Sequence, residues 1–159
     1  MTGFVTLPPP SADPPAPAPP ATITNEPWFP AIQLETVRLI GRIDSAVTAE
    51  RLAEATTAAM LLVNKDLAAW RALREAEGAT SLEAAPATTI AGQNRNVFLY
   101  RRAVAAFAKA ELLEGYVDYD LTKAGEPAGE DRSPDVARRA GRHAVRDILG
   151  RARATVELI

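Results

Sequence analysis

Arginine is the residue whose spacing here most invites a chemical reading. Arg138, Arg139, Arg142, Arg146 and Arg153 recur at or near helical i+4 intervals, opposite Val136, Ala140, Ala144, Ile148 and Ala152. A row of guanidinium groups at that pitch could touch successive phosphates. It could equally be a solvated face that pairs with an acidic stretch of the same or a neighbouring copy. No aromatic, Asn or Gln side chain is interleaved with it, so sequence-specific base reading is not expected. The other candidates are weaker. The single histidine, His143, lies among arginines and reads as a neutral surface imidazole. Asp118 and Asp120 sit in a stretch containing glycines and read as a solvated loop before a metal-binding or glycosidic pair. The chain has no cysteine, hence no thiolate chemistry and no disulfide framework. It contains no Gly-rich phosphate loop, no CxxC and no nucleophile elbow. No catalytic, cofactor-binding or metal-ligating residue is therefore expected, and neither an enzyme nor a cofactor.

Charge and composition point instead towards contacts. The net charge is −2 over 159 residues. It is unevenly placed: residues 1–131 carry 11 basic and 17 acidic side chains, and residues 132–159 carry 7 and 3. Oppositely charged faces on one small domain favour ordered contact with copies of itself or with a charged neighbour. The hydrophobic share of 47% suffices for a core, although much of it is alanine, and aromatics are only 6%. No run of about 18 apolar residues is present to span a membrane. The N-terminus lacks the basic and apolar regions of a secretory signal. The chain reads as made and used in the cytoplasm or in an intracellular assembly.

The elements that would position these side chains are mostly helical. Ten of the 13 prolines fall within the first 30 residues. Leu7-Pro8-Pro9-Pro10 and the run 14–20 favour polyproline II and cannot build a packed core. Residues 1–27 are thus expected as an extended arm, either a disordered leader or a segment that orders on a partner. Trp28 and Phe29, between Pro27 and Pro30, are expected to anchor that arm, in the chain's own core or on a partner. A first short helix is expected over 31–43, with Leu34, Val37 and Ile40 or Gly41 on one face. Thr48 is a credible N-cap for a long helix over 49–77, with Leu52, Ala59, Val63, Leu67, Trp70 and Leu73 at helical spacing and Gly78 as the stop. One helical turn is expected over 81–85 and a loop over 87–96. A third helix over 93–117 carries the stripe Val97, Tyr100, Val104, Phe107, Ala110, Leu113 and Val117. Residues 118–131 read as a loop, and Ser133-Pro134-Asp135 opens a last helix running to about Arg153. Thr155, Val156, Glu157, Leu158 and Ile159 alternate like a strand too short to stand alone. The fold expected is mainly α. It is a small helical bundle over 28–154 that includes one long helix, with the Pro-rich arm, 1–27, before it and a short C-terminal β-strand or tail, 155–159, after it.

The order of these features resembles the head completion protein (GPL) family of tailed bacteriophages. The resemblance rests on Trp28-Phe29-Pro30, the helix start Val47-Thr48-Ala49-Glu50-Arg51-Leu52, the helix end Trp70-Arg71-Ala72-Leu73-Arg74, and Val97-Phe98-Leu99-Tyr100-Arg101-Arg102-Ala103-Val104. It runs on through Ala110-Glu111-Leu112 to the terminal 155–159. It covers about residues 28–159, with the long Pro-rich leader as a departure. The resemblance implies a non-enzymatic structural virion protein, assembled in the host cytoplasm and located at the head-tail junction. Copies would form a ring, twelve to match the portal protein, closing the head after DNA packaging. Neck and tail terminator proteins would dock below, DNA would pass without sequence-specific binding, and no membrane would be involved. In that setting residues 155–159 are the expected portal-binding strand, and the arginines face a neighbouring copy or the DNA channel. From a different class, the alternative is a small non-catalytic helical nucleic-acid-binding protein using the basic last helix.

Overall fold

The computed structural model describes residues 20–120 and 133–151, with 116–120 described by their backbone alone. Four helices and two two-stranded ribbons make up the described residues, in the order β1 (Thr22–Ile23), β2 (Ile32–Gln33), α1 (Leu34–Gly41), α2 (Ala49–Ala76), β3 (Thr89–Ile90), β4 (Gln93–Asn94), α3 (Arg95–Asp120) and α4 (Pro134–Ile148). The fold is mainly α, a small helical bundle in which α2 is the longest element.

Sequence punctuation sets the bounds of α2. Thr48 keeps an extended backbone, and its hydroxyl accepts from the Arg51 amide at 3.4 Å. That satisfies one of the donors a helix leaves orphaned at its start. At the other end Gly78 takes φ +96°, and the Ala79 amide donates back to the Arg74 carbonyl at 2.9 Å. Between these ends Leu52, Ala55, Ala59, Met60, Val63 and Leu67 are buried. The expected stripe gives out towards the C-terminus. Trp70 is half-buried, and Leu73 is 60% exposed, with no described helix across from it.

Helix α3 is the hub. It packs against α1, α2 and α4, whereas α2 and α4 barely meet. Of the expected stripe, Val97, Tyr100, Val104, Phe107 and Ala110 are buried and Leu113 is half-buried, while the side chain of Val117 lies outside the described ones. Leu99, Ala103, Ala105 and Ala108 around the stripe are buried too. A helix apolar on several sides is the pattern of a helix with neighbours on several sides. Alanine is what lets those neighbours come close. Helix α4 runs antiparallel to α3, and Gly141 meets the Phe107 ring so closely that a methyl group there would lie 2.8 Å from a ring carbon.

Several expected boundaries are corrected. Residues 32–33 pair as a strand with 22–23, so α1 begins at Leu34, and it ends at Gly41 as Arg42 turns left-handed at φ 50°. The single helical turn expected over 81–85 is present, with the Ala85 amide donating to the Ser81 carbonyl and the Ala84 amide to the Ser81 hydroxyl, both at 3.1 Å. Part of the expected loop 87–96 is a β-hairpin whose two turn residues, Ala91 and Gly92, both have positive φ, as a tight hairpin requires. Helix α3 continues through Asp118 to Asp120, so these two aspartates belong to a helix end; 121–131 lie outside the described residues. Helix α4 starts at Pro134 behind Ser133, as expected, but stops at Ile148, not Arg153, since Gly150 takes φ +66°. The leading segment joins the body before Pro27. Thr22–Ile23 pairs with Ile32–Gln33, and the Leu34 amide donates to the Ala21 carbonyl at 2.9 Å. The Pro-rich stretch 1–19 and the terminal 152–159 lie outside the described residues.

Gly141→Ala should lower stability by about 1–3 kcal/mol, the usual cost of forcing extra volume into a packed contact. Chemical denaturation of the variant, with and without Phe107→Leu to make room, measures this. The second change should recover part of the loss.

Candidate functional site

The leading segment is held by a closed polar network between α2 and α3. Asn25 Nδ2 donates to the Pro30 carbonyl at 3.0 Å and to the Tyr100 hydroxyl at 2.7 Å. The Tyr100 hydroxyl donates to Asn64 Oδ1 at 2.6 Å. Asn64 Nδ2 returns to Asn25 Oδ1 at 2.9 Å and reaches Glu26 Oε1 at 3.1 Å. Both amide donors of each asparagine are thereby used, which makes such a network favourable at a buried site. Burial pushes the Tyr100 phenol far above the ordinary tyrosine value.

Trp28 and Phe29 complete the attachment, and both are buried in the chain's own core. Phe29 stacks on Tyr100 with ring centres 5.2 Å apart, and Trp28 meets Trp70 edge-on at 6.0 Å. Trp28 Nε1 donates to the Ala79 carbonyl at 3.2 Å, and the Leu82 amide donates to the Trp28 carbonyl at 2.8 Å. Arg71 caps the outside: its guanidinium lies 5.6 Å from both aromatic ring centres and bonds Glu26 at 2.6 Å and Glu75 at 2.9 Å. The hydrogen bond to Glu75, with that to Glu26, raises the Arg71 pKa.

The arginines of α4 do not share one free face. Arg138 pairs with Glu114 of α3, whose hydrogen bond raises its pKa, and Arg146 is also engaged. Arg139 and Arg142 are exposed, His143 is half-exposed, and Arg153 lies outside the described residues. The apolar side of α4 is also rotated from that expected. Ala137, Gly141, Ala144, Val145 and Ile148 are buried, while Val136 is exposed.

A different basic surface emerges instead. A trough of about 440 Å³ runs along α3 between the end of α1 and the first turns of α4. Phe98, Arg102, Ala106 and Lys109 form its floor at helical spacing, Ile40 and Arg42 one bank, and Val136 and Ala140 the other. Three cations and no carboxylate line it. The only sequence sign of it was the row at 98, 102, 106 and 109 on the far side of α3 from the core stripe. Such a row reads as an ordinary solvated back until the helices beside it are placed.

Residues 23–159 match the phage head completion protein (GPL) family. The chain belongs to that family. It is also 35% identical over 159 residues to the head completion/stabilization protein of Escherichia phage P2, spanning 99% of this chain and 90% of that protein. No solved structure matches it. The family match opens at β1, so the Asn25–Tyr100–Asn64 network, the two aromatics and the trough all lie inside the family region.

Asn64→Ala should cost about 1–3 kcal/mol for each partner left buried without a hydrogen bond. A double-mutant cycle with Asn25→Ala should be strongly non-additive, because both changes break the same ring of bonds. Alkaline pH supplies a further check. The folded state holds the Tyr100 proton more tightly than the unfolded chain does. Its contribution is therefore complete below about pH 10 and is lost as pH rises beyond it. Urea midpoints should fall above that pH, and Tyr100→Phe should flatten the fall.

Proposed function

We propose that this chain is a non-catalytic structural subunit of a tailed-phage virion, placed at the junction of head and tail. Copies form a ring beneath the portal after DNA packaging, twelve in register with it, and present the docking surface for neck and tail terminator proteins. The observation that supports this reading best is the extent of the family match, which takes in the helical body and the terminal residues 155–159 alike. The body suits a joint, since it is held together by its own core and, among the described residues, keeps a basic and apolar trough on its surface.

In this reading Thr155, Val156, Glu157, Leu158 and Ile159 add as a strand to a sheet edge of the portal. Backbone hydrogen bonds supply affinity, and Val156, Leu158 and Ile159 fill pockets. Each buried side chain is worth roughly 1.5–3 kcal/mol before ordering costs. Repetition around the ring multiplies the effect through avidity. The Pro-rich residues upstream of β1 act as a spacer or brace between neighbours. Arg139 and Arg142, exposed on α4, face a neighbouring copy or the passing DNA without reading its sequence. The alternative of a free nucleic-acid-binding helix is weakened, because Arg138 and Arg146 already have partners within the chain.

Electron microscopy of portal rings mixed with this protein tests the proposal. The full chain should add a layer of density below the portal. A chain ending before Thr155 should melt at the same temperature yet add none. A truncated chain that still decorates the portal contradicts the role given to the terminal strand, and a full chain that never does contradicts the placement.

A further inference from the structure

Two of the apolar surfaces exposed on the described body differ in shape and charge. The trough is concave, with Ile40, Phe98 and Val136 all more than 40% exposed and Arg42, Arg102 and Lys109 around them. Neither Arg42 nor Arg102 nor Lys109 makes an ion pair among the described residues. The second surface is the outer side of α2, a convex ridge about 42 Å long at ~1.5 Å per residue. Leu61, Leu62 and Leu73 stand 65%, 42% and 60% exposed along it. Its N-terminal half presents Glu50 and Glu54 in the row of Leu61, with Asp66 beyond; Arg51 and Lys65 are the cations on this side.

Leu62 and Leu73 share a row about 100° round the helix from Leu61, so an apolar row and the acidic row of Glu50 and Glu54 lie side by side on the outer face. A single copy cannot seat its own ridge in its own trough. Helix α2 is packed against α3 by its opposite side, and α1 and α4 bound the trough on another flank of α3. The match between them must be made by two molecules. A contact in which one patch meets a different patch generates rings or filaments, whereas a self-complementary patch stops at a dimer.

We propose that the occupant of the trough is the outer face of α2 from a second copy of this chain. The leucines at 61 and 62 seat on Phe98, Ile40 and Val136, and the carboxylates of Glu50 and Glu54 meet Arg42, Arg102 and Lys109. The assignment rests on the ring reading above and specifies which two faces make the ring. It leaves residues 155–159 free for the portal.

The absence of cysteine makes the test clean. Leu62→Cys and Val136→Cys are made separately, both at exposed positions that spare the core, and treated with a short bis-maleimide at high protein concentration and on portal rings. A cross-linked dimer should form in the mixture of the two variants and be absent from either alone. A chain carrying both changes should give a ladder, and adding Arg102→Glu with Lys109→Glu should abolish it. Like-with-like dimers of either variant overturn the proposal, since the contact is then self-complementary. A portal-bound ring without the mixed product overturns it while leaving the ring reading in place. Trough-dependent binding of duplex DNA without a mixed product also overturns it, making the trough a polyanion site. A mixed product that appears only after removal of residues 152–159 overturns it too, because the chain's own terminus then fills the trough.

Discussion

The ring of hydrogen bonds joining Asn25, Tyr100 and Asn64 is the interaction on which the rest of this structure depends. It lies where the leading segment, α2 and α3 come together, and it fixes all three at once. With Asn25 in place, Trp28 and Phe29 enter the core against Trp70 and Tyr100. The Trp28 backbone and indole then tie down the connection after α2, through Leu82 and Ala79. A buried asparagine without partners would cost more than the same volume of hydrocarbon. Because every donor in it is used, the network favours this arrangement of the three elements over any that would leave one of them unpaired.

The outer helices attach to this clamp by closeness of approach. Alanines at 103, 105, 108 and 110 are buried along α3. Gly41 and Gly141 bring α1 and α4 against it without side chains of their own in the way. Because α1 is only 8 residues long and α4 leans on the other flank, no described element covers a length of α3 between them, and that length is the trough. The same economy leaves α2 with an exposed outer face.

How much of this was legible in the sequence depends on the range of the forces involved. Thr48, Gly78, Ser133 and Pro134 act within one helical turn, so they located helix ends correctly. Gly150 acts at the same range but was overridden by the arginine and alanine pattern continuing past it, which carried the last helix too far. The strand at Ile32–Gln33 was missed because its only partner is Thr22–Ile23, inside a stretch that composition marks as arm. The hairpin at 89–94 has alanine in a left-handed turn position, where Asn or Asp would have announced it. The polar network joins residues 36 to 75 positions apart, and no local pattern reports that. The α4 arginines looked like one free face because spacing cannot show that Glu114, on another helix, already holds Arg138.

The central claim is that the leading segment is part of the cooperative core and not an appendage of it. Native-state hydrogen exchange tests this most directly. The amides of Leu34 and Leu82 are bonded to Ala21 and Trp28 respectively. They should exchange only through the same global opening as amides in the middle of α3, with equal dependence on denaturant. Exchange of these two amides through a much smaller opening, while α3 stays protected, would contradict the account.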